Sequence, residues 1–217
     1  MITMKVTLRS DHVEVEGYVN SVERNSKPIT DSAGHYVERM CVGAFTRALN
    51  RNNDVHILLN HDWTRDLGST AKGNLELNED SIGLHARATI YDSDVIEKAR
   101  NGELVGWSFG FTDVDVDESS VDSDTNLPLR KVRDINLDEV SILDKTRNPA
   151  YNGTLINTRD SNKNVVKLGE ELLSECELID ESKEDTKKRD VEPTQEETKK
   201  PKFSYYSNLF KLIKEAK

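Results

Sequence analysis

The chain is short of the features that hold many small secreted or membrane proteins together. It has two cysteines in 217 residues, Cys41 and Cys176. They lie in segments of different texture and belong to no metal-ligand spacing, which argues against a structural disulfide or a bound zinc. No apolar run approaches the roughly 20 residues that a membrane-spanning helix needs. The opening Met1-Ile2-Thr3-Met4-Lys5 lacks a signal-peptide hydrophobic stretch. These absences predict a cytoplasmic protein with no membrane association. Basic residues are also in deficit, 30 Lys and Arg against 40 Asp and Glu. The deficit is concentrated in residues 1–158, with 17 basic and 26 acidic side chains, whereas 159–217 carries 13 and 14. An acidic body excludes a sequence-independent nucleic-acid binder, which needs a basic surface. Apolar residues are only 35% of the chain and mean hydropathy is −0.68, so part of it is expected not to fold compactly.

What remains reads mainly as strands. Residues 5–8 and 13–19 alternate apolar and polar side chains. Residues 44–50 predict a short helix with Phe45, Ala48 and Leu49 on one face. Residues 55–59 form a continuous apolar strand, and 67–77 and 81–90 read as paired strands around Asn78-Glu79-Asp80. A second helix is predicted over 93–101, capped by Ser93 or Asp94 and ended by Gly102. The serine-bearing strand runs over 104–112, residues 113–128 form an acidic insertion, and 129–143 form one long strand or two. Many short strands with two helices predict a mainly β barrel or sandwich with peripheral helices. We divide the chain into a folded domain, 1–158, and a charged, mostly disordered tail, 159–217. Helical spacing of Leu168, Leu172, Leu173 and Cys176 predicts a helix near 167–179. Phe203, Tyr206, Leu209, Phe210 and Ile213 predict another, a docking segment, near 203–217.

Three segments carry chemistry. In Gly106-Trp107-Ser108-Phe109-Gly110-Phe111, alternation sets three aromatics on one face of a strand and Ser108 between two glycines on the other. That second face lets another backbone approach a hydroxyl closely, as a peptide substrate would. His61 ends the apolar run Leu58-Leu59-Asn60 and is preferred as general base over His12, His35, His56 and His85, whose surroundings are polar or undistinctive. Glu139 sits in the apolar run Leu137-Asp138-Glu139-Val140-Ser141-Ile142-Leu143, where a carboxylate needs a partner. That partner is an imidazole N–H or, on the structural alternative, Arg130, Arg133 or Lys145. Asp138 and Asp62 compete for the same role, and Arg130 and Arg133 are candidate oxyanion helpers on charge alone. The run Asp113-Val114-Asp115-Val116-Asp117-Glu118 begins like a calcium loop but has Glu118 where the turn glycine belongs, so a solvated hairpin loop is the better reading. Cys41 has no reactive signature.

These segments, in this order, resemble the prohead proteases of tailed phages, serine endopeptidases that process capsid and scaffold during head maturation. The resemblance spans about residues 13–156. It includes Gly17-Tyr18-Val19, Gly43-Ala44-Phe45, Asn60-His61-Asp62, the Ser108 strand, Glu139-Val140-Ser141 and Asn148-Pro149-Ala150-Tyr151. It implies an assemblin-like antiparallel β-barrel, shared with herpesvirus maturation proteases, and a catalytic set of Ser108, His61 and Glu139 without metal or cofactor. It implies protein substrates, namely scaffold, a scaffolding extension of the major capsid protein, and the protease itself. The place of action is then the host cytoplasm, inside the immature procapsid, and a homodimer is a state open to the chain. The long acidic insertion and the polar Asp144-Lys145-Thr146-Arg147 depart from the family pattern. The rival reading is a non-enzymatic capsid assembly or scaffold module with the same β fold. A protease fused to a short scaffold segment lies between the two.

Overall fold

The computed structural model describes residues 3–31, 34–146 and 167–183. Alternating apolar residues make β1 (Thr3–Leu8) and β2 (Val13–Ser21), which pair antiparallel and bury Val6, Leu8, Val13, Val15 and Val19. The short β3 (Ile29–Asp31) pairs with β4 (Gly34–Met40). Helix α1 (Ala44–Arg51) follows, then β5 (His56–Leu59) and β6 (Asp62–Ser69). Next come β7 (Leu75–Glu79), β8 (Gly83–Ile90) and α2 (Ser93–Arg100). Two long strands, β9 (Leu104–Val121) and β10 (Pro128–Asp144), form one antiparallel hairpin. A last stretch gives β11 (Lys167–Leu168), β12 (Leu172–Leu173) and β13 (Glu175–Asp180).

The strands make two sheets. One has the order β13-β1-β2-β8-β7; the other runs β11-β9-β10-β4-β3, with β12 also on β9 and the β5–β6 pair on β10. The mainly β architecture with two helices is as the sequence predicts. The sheets do not close into a barrel among the described residues. Their apolar faces meet in one core that includes Phe45, Ile57, Trp107, Phe109, Phe111, Leu137, Val140 and Ile142. No helix among the described residues is long and apolar enough to cross a membrane.

Helix α1 has a structural task at the edge of β10. β4 pairs with Leu129–Val132 and β5 with Glu139–Ile142, leaving the strand unpaired between them. Side chains from α1 and its C-terminus fill the gap. Arg47 donates to the carbonyl of Arg133, Arg51 to that of Ile135 (2.8 Å) and Asn52 to that of Leu137 (3.0 Å). Carbonyls of β10 that lack a strand partner on this side are thereby satisfied. From β7, Glu79 accepts the N–H groups of Gly43 and Thr46, covering donors at the helix start that Gly43 itself does not cap.

Several sequence expectations change here. The cap of α2 is Asp92, whose carboxylate accepts from the Val95 N–H at 3.0 Å, rather than Ser93 or Asp94. The strand expected over 67–77 is broken by a turn between β6 and β7. The acidic insertion is no loop, because β9 continues to Val121 and the turn is confined to the residues before Pro128. Cations on the paired strand allow this. Arg133 meets Asp117 at 2.5 Å, while Arg130 meets Asp113 at 2.6 Å and Glu118 at 2.9 Å. The helix expected near 167–179 is three short strands. Their apolar spacing suits a helix, but open strand edges on β9 and β1 recruit them instead. The expected 203–217 helix and most of 180–202 lie outside the described residues.

The Arg130 cluster sets a pH dependence. Glu38 is buried against Arg130, which already serves Asp113 and Glu118. Burial pushes the Glu38 carboxyl up to about 7, outweighing the pull of Arg130. Its bound proton is lost later in the folded protein than in the unfolded chain. The associated stability is therefore present in acid and drains away as pH rises through about 7. Glu38→Gln is expected to flatten a decline on the order of 3 kcal/mol. Urea midpoints taken at intervals from weakly acidic to neutral pH check this, and parallel curves for both proteins would refute it.

Candidate active site

The turn between β5 and β6 presents His61. Leu59 pairs with Asp62, so Asn60 and His61 are the two central residues of a tight hairpin, with φ of 56° and 61°. Both positive values are those of a type I′ turn, which suits asparagine well and a histidine less well. Asn60 fixes the turn: its side chain donates to Asp144 at 2.9 Å and accepts the Asp144 N–H at 3.1 Å. Its own N–H reaches the carbonyl of Ile142 at 2.9 Å. Burial alone would raise the Asp144 carboxyl. Hydrogen bonds from Thr146 and Asn60, with Lys98 beside it, hold it below the ordinary carboxylate range instead.

Glu139 is delivered from β10. A register shift between Leu137 and Glu139 places a bulge at Asp138, so the carboxylate lies opposite Gly110. The His61 Nδ1 lies 2.6 Å from Glu139 Oε1, with both side chains buried. The second oxygen, Oε2, accepts the Ser141 hydroxyl at 2.6 Å, and the same hydroxyl accepts the His61 backbone N–H at 3.0 Å. An ionised carboxylate can only accept, so Nδ1 carries a proton, and in the neutral ring Nε2 then keeps its lone pair. That Nε2 is buried and has no hydrogen-bond partner among the described residues.

Ser108 stands on the neighbouring strand, directly opposite Ser141 and on the same face as Glu139. It is fully buried, and its hydroxyl donates to the carbonyl of Gly169 at 3.4 Å. The two flanking glycines have different reasons. A Cβ on Gly110 would lie 2.5 Å from Glu139 Oε1, so that glycine makes room for the carboxylate. A Cβ on Gly106 would collide with the backbone carbonyl of Leu172, so that glycine admits another main chain. On the opposite face Phe109 stacks on Phe111 and meets Phe45 edge-on.

The structure thus brings His61 and Glu139 together and sets Ser108 one strand away on the same face. Several of the competitors are occupied elsewhere. Asp62 is exposed and accepts from Thr64 within its own turn. Arg130 and Arg133 serve the acidic hairpin at the other end of β10, which removes them as oxyanion helpers and as partners of Glu139. His12, His35, His56 and His85 pair with surface groups such as Asp11, Thr30, Asp66 and Glu16. Sequence reasoning missed Ser141 and Asn60, whose roles depend on pairings between strands. It also missed Gly169, which comes from a segment read as helix. No group of metal-ligating side chains is found among the described residues.

The family model of the caudovirus prohead serine proteases matches residues 2–167. Neither a curated protein nor a solved structure matches the chain.

Proposed function

The chain belongs to the caudovirus prohead serine proteases, and on that premise we propose that it is a maturation endopeptidase acting on phage head proteins. Ser108 is its nucleophile, His61 its base and then acid, and Glu139 the group that orients His61. The substrates are scaffold or the scaffolding extension of the major capsid protein, and the enzyme trims its own charged segment over 180–202. It works inside the procapsid, the place its family implies. The observation that carries this reading is the buried 2.6 Å contact of His61 Nδ1 with Glu139 Oε1, which leaves Nε2 as a free acceptor.

In the proposed reaction, Ser108 Oγ bonds to the scissile carbonyl carbon as its proton passes to His61 Nε2. Glu139 stabilises the imidazolium that forms. The tetrahedral intermediate collapses, the C–N bond breaks, and His61 returns the proton to the departing amine. Water then repeats the sequence on the acyl-enzyme and frees Ser108.

Co-expression with the phage's own capsid and scaffold proteins tests the reading. Wild type is expected to shorten its substrates and its own tail, and Ser108→Ala and His61→Ala to abolish both, as read by intact mass. Unchanged processing in the variants would remove these residues from the chemistry and favour the non-enzymatic assembly module.

A further inference from the structure

The segment 167–174, the strap, lies antiparallel along the edge of β9 that β10 leaves open. Lys167 and Leu168 pair with Phe111 and Gly110, and Leu172 and Leu173 pair with Trp107 and Gly106. The Gly169 N–H donates to the carbonyl of Phe109 at 2.8 Å, and the Ser174 N–H to that of Val105 at 3.0 Å. Between the paired stretches, Gly169, Glu170 and Glu171 stand opposite only Ser108 and Phe109, so the strap bulges where it crosses the serine. The bulge turns the Gly169 carbonyl to the Ser108 hydroxyl. A side chain at Gly169 would collide with the Phe109 ring. Lys167 reaches Asp113 at 2.5 Å, and Glu170 accepts the Lys27 N–H at 3.1 Å, pinning the strap beside the crossing.

We propose that this edge of β9 is the groove that receives an extended peptide, with a glycine required opposite Phe109, and that the strap occupies it as a built-in pseudo-substrate. The proposal rests on Ser108 being the nucleophile. Main-chain pairing to an open strand edge supplies affinity that depends little on sequence, and the close approach at Phe109 supplies selectivity. The bound strap holds the site idle. The Ser108 hydroxyl points to the Gly169 oxygen while His61 Nε2 has no partner among the described residues, whereas attack requires the hydroxyl proton to pass to His61. With Ser108 fully covered, a substrate enters only when the strap leaves. Trimming within 180–202, beyond the strap, therefore waits on its release or on a second molecule already released.

Two readouts on the full-length chain test this. The first is labelling of Ser108 by a fluorophosphonate, in which Oγ bonds to phosphorus and fluoride departs. Gly169→Val, which drives a side chain into Phe109, is expected to label at least about tenfold faster than wild type. Lys167→Glu, a milder change that sets two acids together, is expected to give a smaller increase, and circular dichroism verifies that both variants fold. The second readout needs no chemistry. A fluorescent peptide of the strap sequence Lys-Leu-Gly-Glu-Glu-Leu-Leu-Ser is expected to bind Gly169→Val carrying Ser108→Ala, and its glycine-to-valine counterpart is not. Equal labelling of wild type and both folded variants would overturn the covering role. Failure of the peptide to bind, or equal binding of both peptides, would overturn the groove. Absent labelling in every protein would defeat the protease reading, while peptide binding would still decide the groove.

Discussion

Glu139→Gln is expected to lower turnover roughly 10³- to 10⁴-fold while the protein stays folded, the scale of loss when a buried carboxylate behind a catalytic histidine becomes an amide. Two consequences follow from the geometry. The negative charge that would stabilise the imidazolium is gone. The amide can also present its NH₂ to His61 Nδ1, forcing the ring proton onto Nε2, where it blocks acceptance from Ser108. Ser141→Ala offers a graded comparison. Its hydroxyl joins Glu139 Oε2 to the His61 backbone, so its removal loosens both without touching a substrate. A loss of about ten- to a hundredfold in kcat, with KM unchanged, corresponds to one buried hydrogen-bonding group left unsatisfied. Stopped assays on a peptide substrate measure both. A Glu139→Gln enzyme within tenfold of wild type would remove Glu139 from the mechanism.

The largest effect on stability is expected at Phe45. The ring is fully buried, meets Phe109 edge-on at 5.3 Å, and is the main apolar anchor of α1. Phe45→Ala deletes that anchor and leaves a cavity beneath the Ser108 strand, at a cost of about 3–5 kcal/mol. A fall of roughly 10–15 °C in Tm is expected for a domain of this size. Tyr91→Ala, at a side chain 64% exposed, is the control and is expected to change stability by less than about 0.5 kcal/mol. Thermal unfolding followed by circular dichroism distinguishes the two. Equal melting temperatures would show that α1 is not held through Phe45.

How much of this was legible before the structure depends on where each signal resides. His61 and Glu139 stood out because each interrupts or ends an apolar run, and a polar group in such a place needs a partner. The glycines around Ser108 pointed to a close approach. The structure divides that approach between a carboxylate at Gly110 and a main chain at Gly106. Ser141 was invisible because a serine in a strand has no signature, and its importance comes from the register of β10 against β9. The strap was misread because leucines at helical spacing also suit short strands of two residues separated by a bulge. Open edges elsewhere in the fold decided between them. The acidic hairpin was misread for a related reason: its partners, Arg130 and Arg133, lie on a strand whose alignment the sequence does not state.

The pairing of β13 with β1 also bears on the order of events during folding. Thr3 is matched with Glu175 and Leu8 with Asp180, so this parallel ladder closes nearly the whole described chain. Contacts so distant in sequence carry a large loop-closure cost and form late. The pairs that build the dyad, β5 with β6 and β9 with β10, are complete by Asp144. Domains emerge from the ribosome N-terminal part first. The strands that place Ser108, His61 and Glu139 are therefore expected to pair before β13 reaches β1, so the strap, joined directly to β13, is expected to be among the last segments to settle on β9.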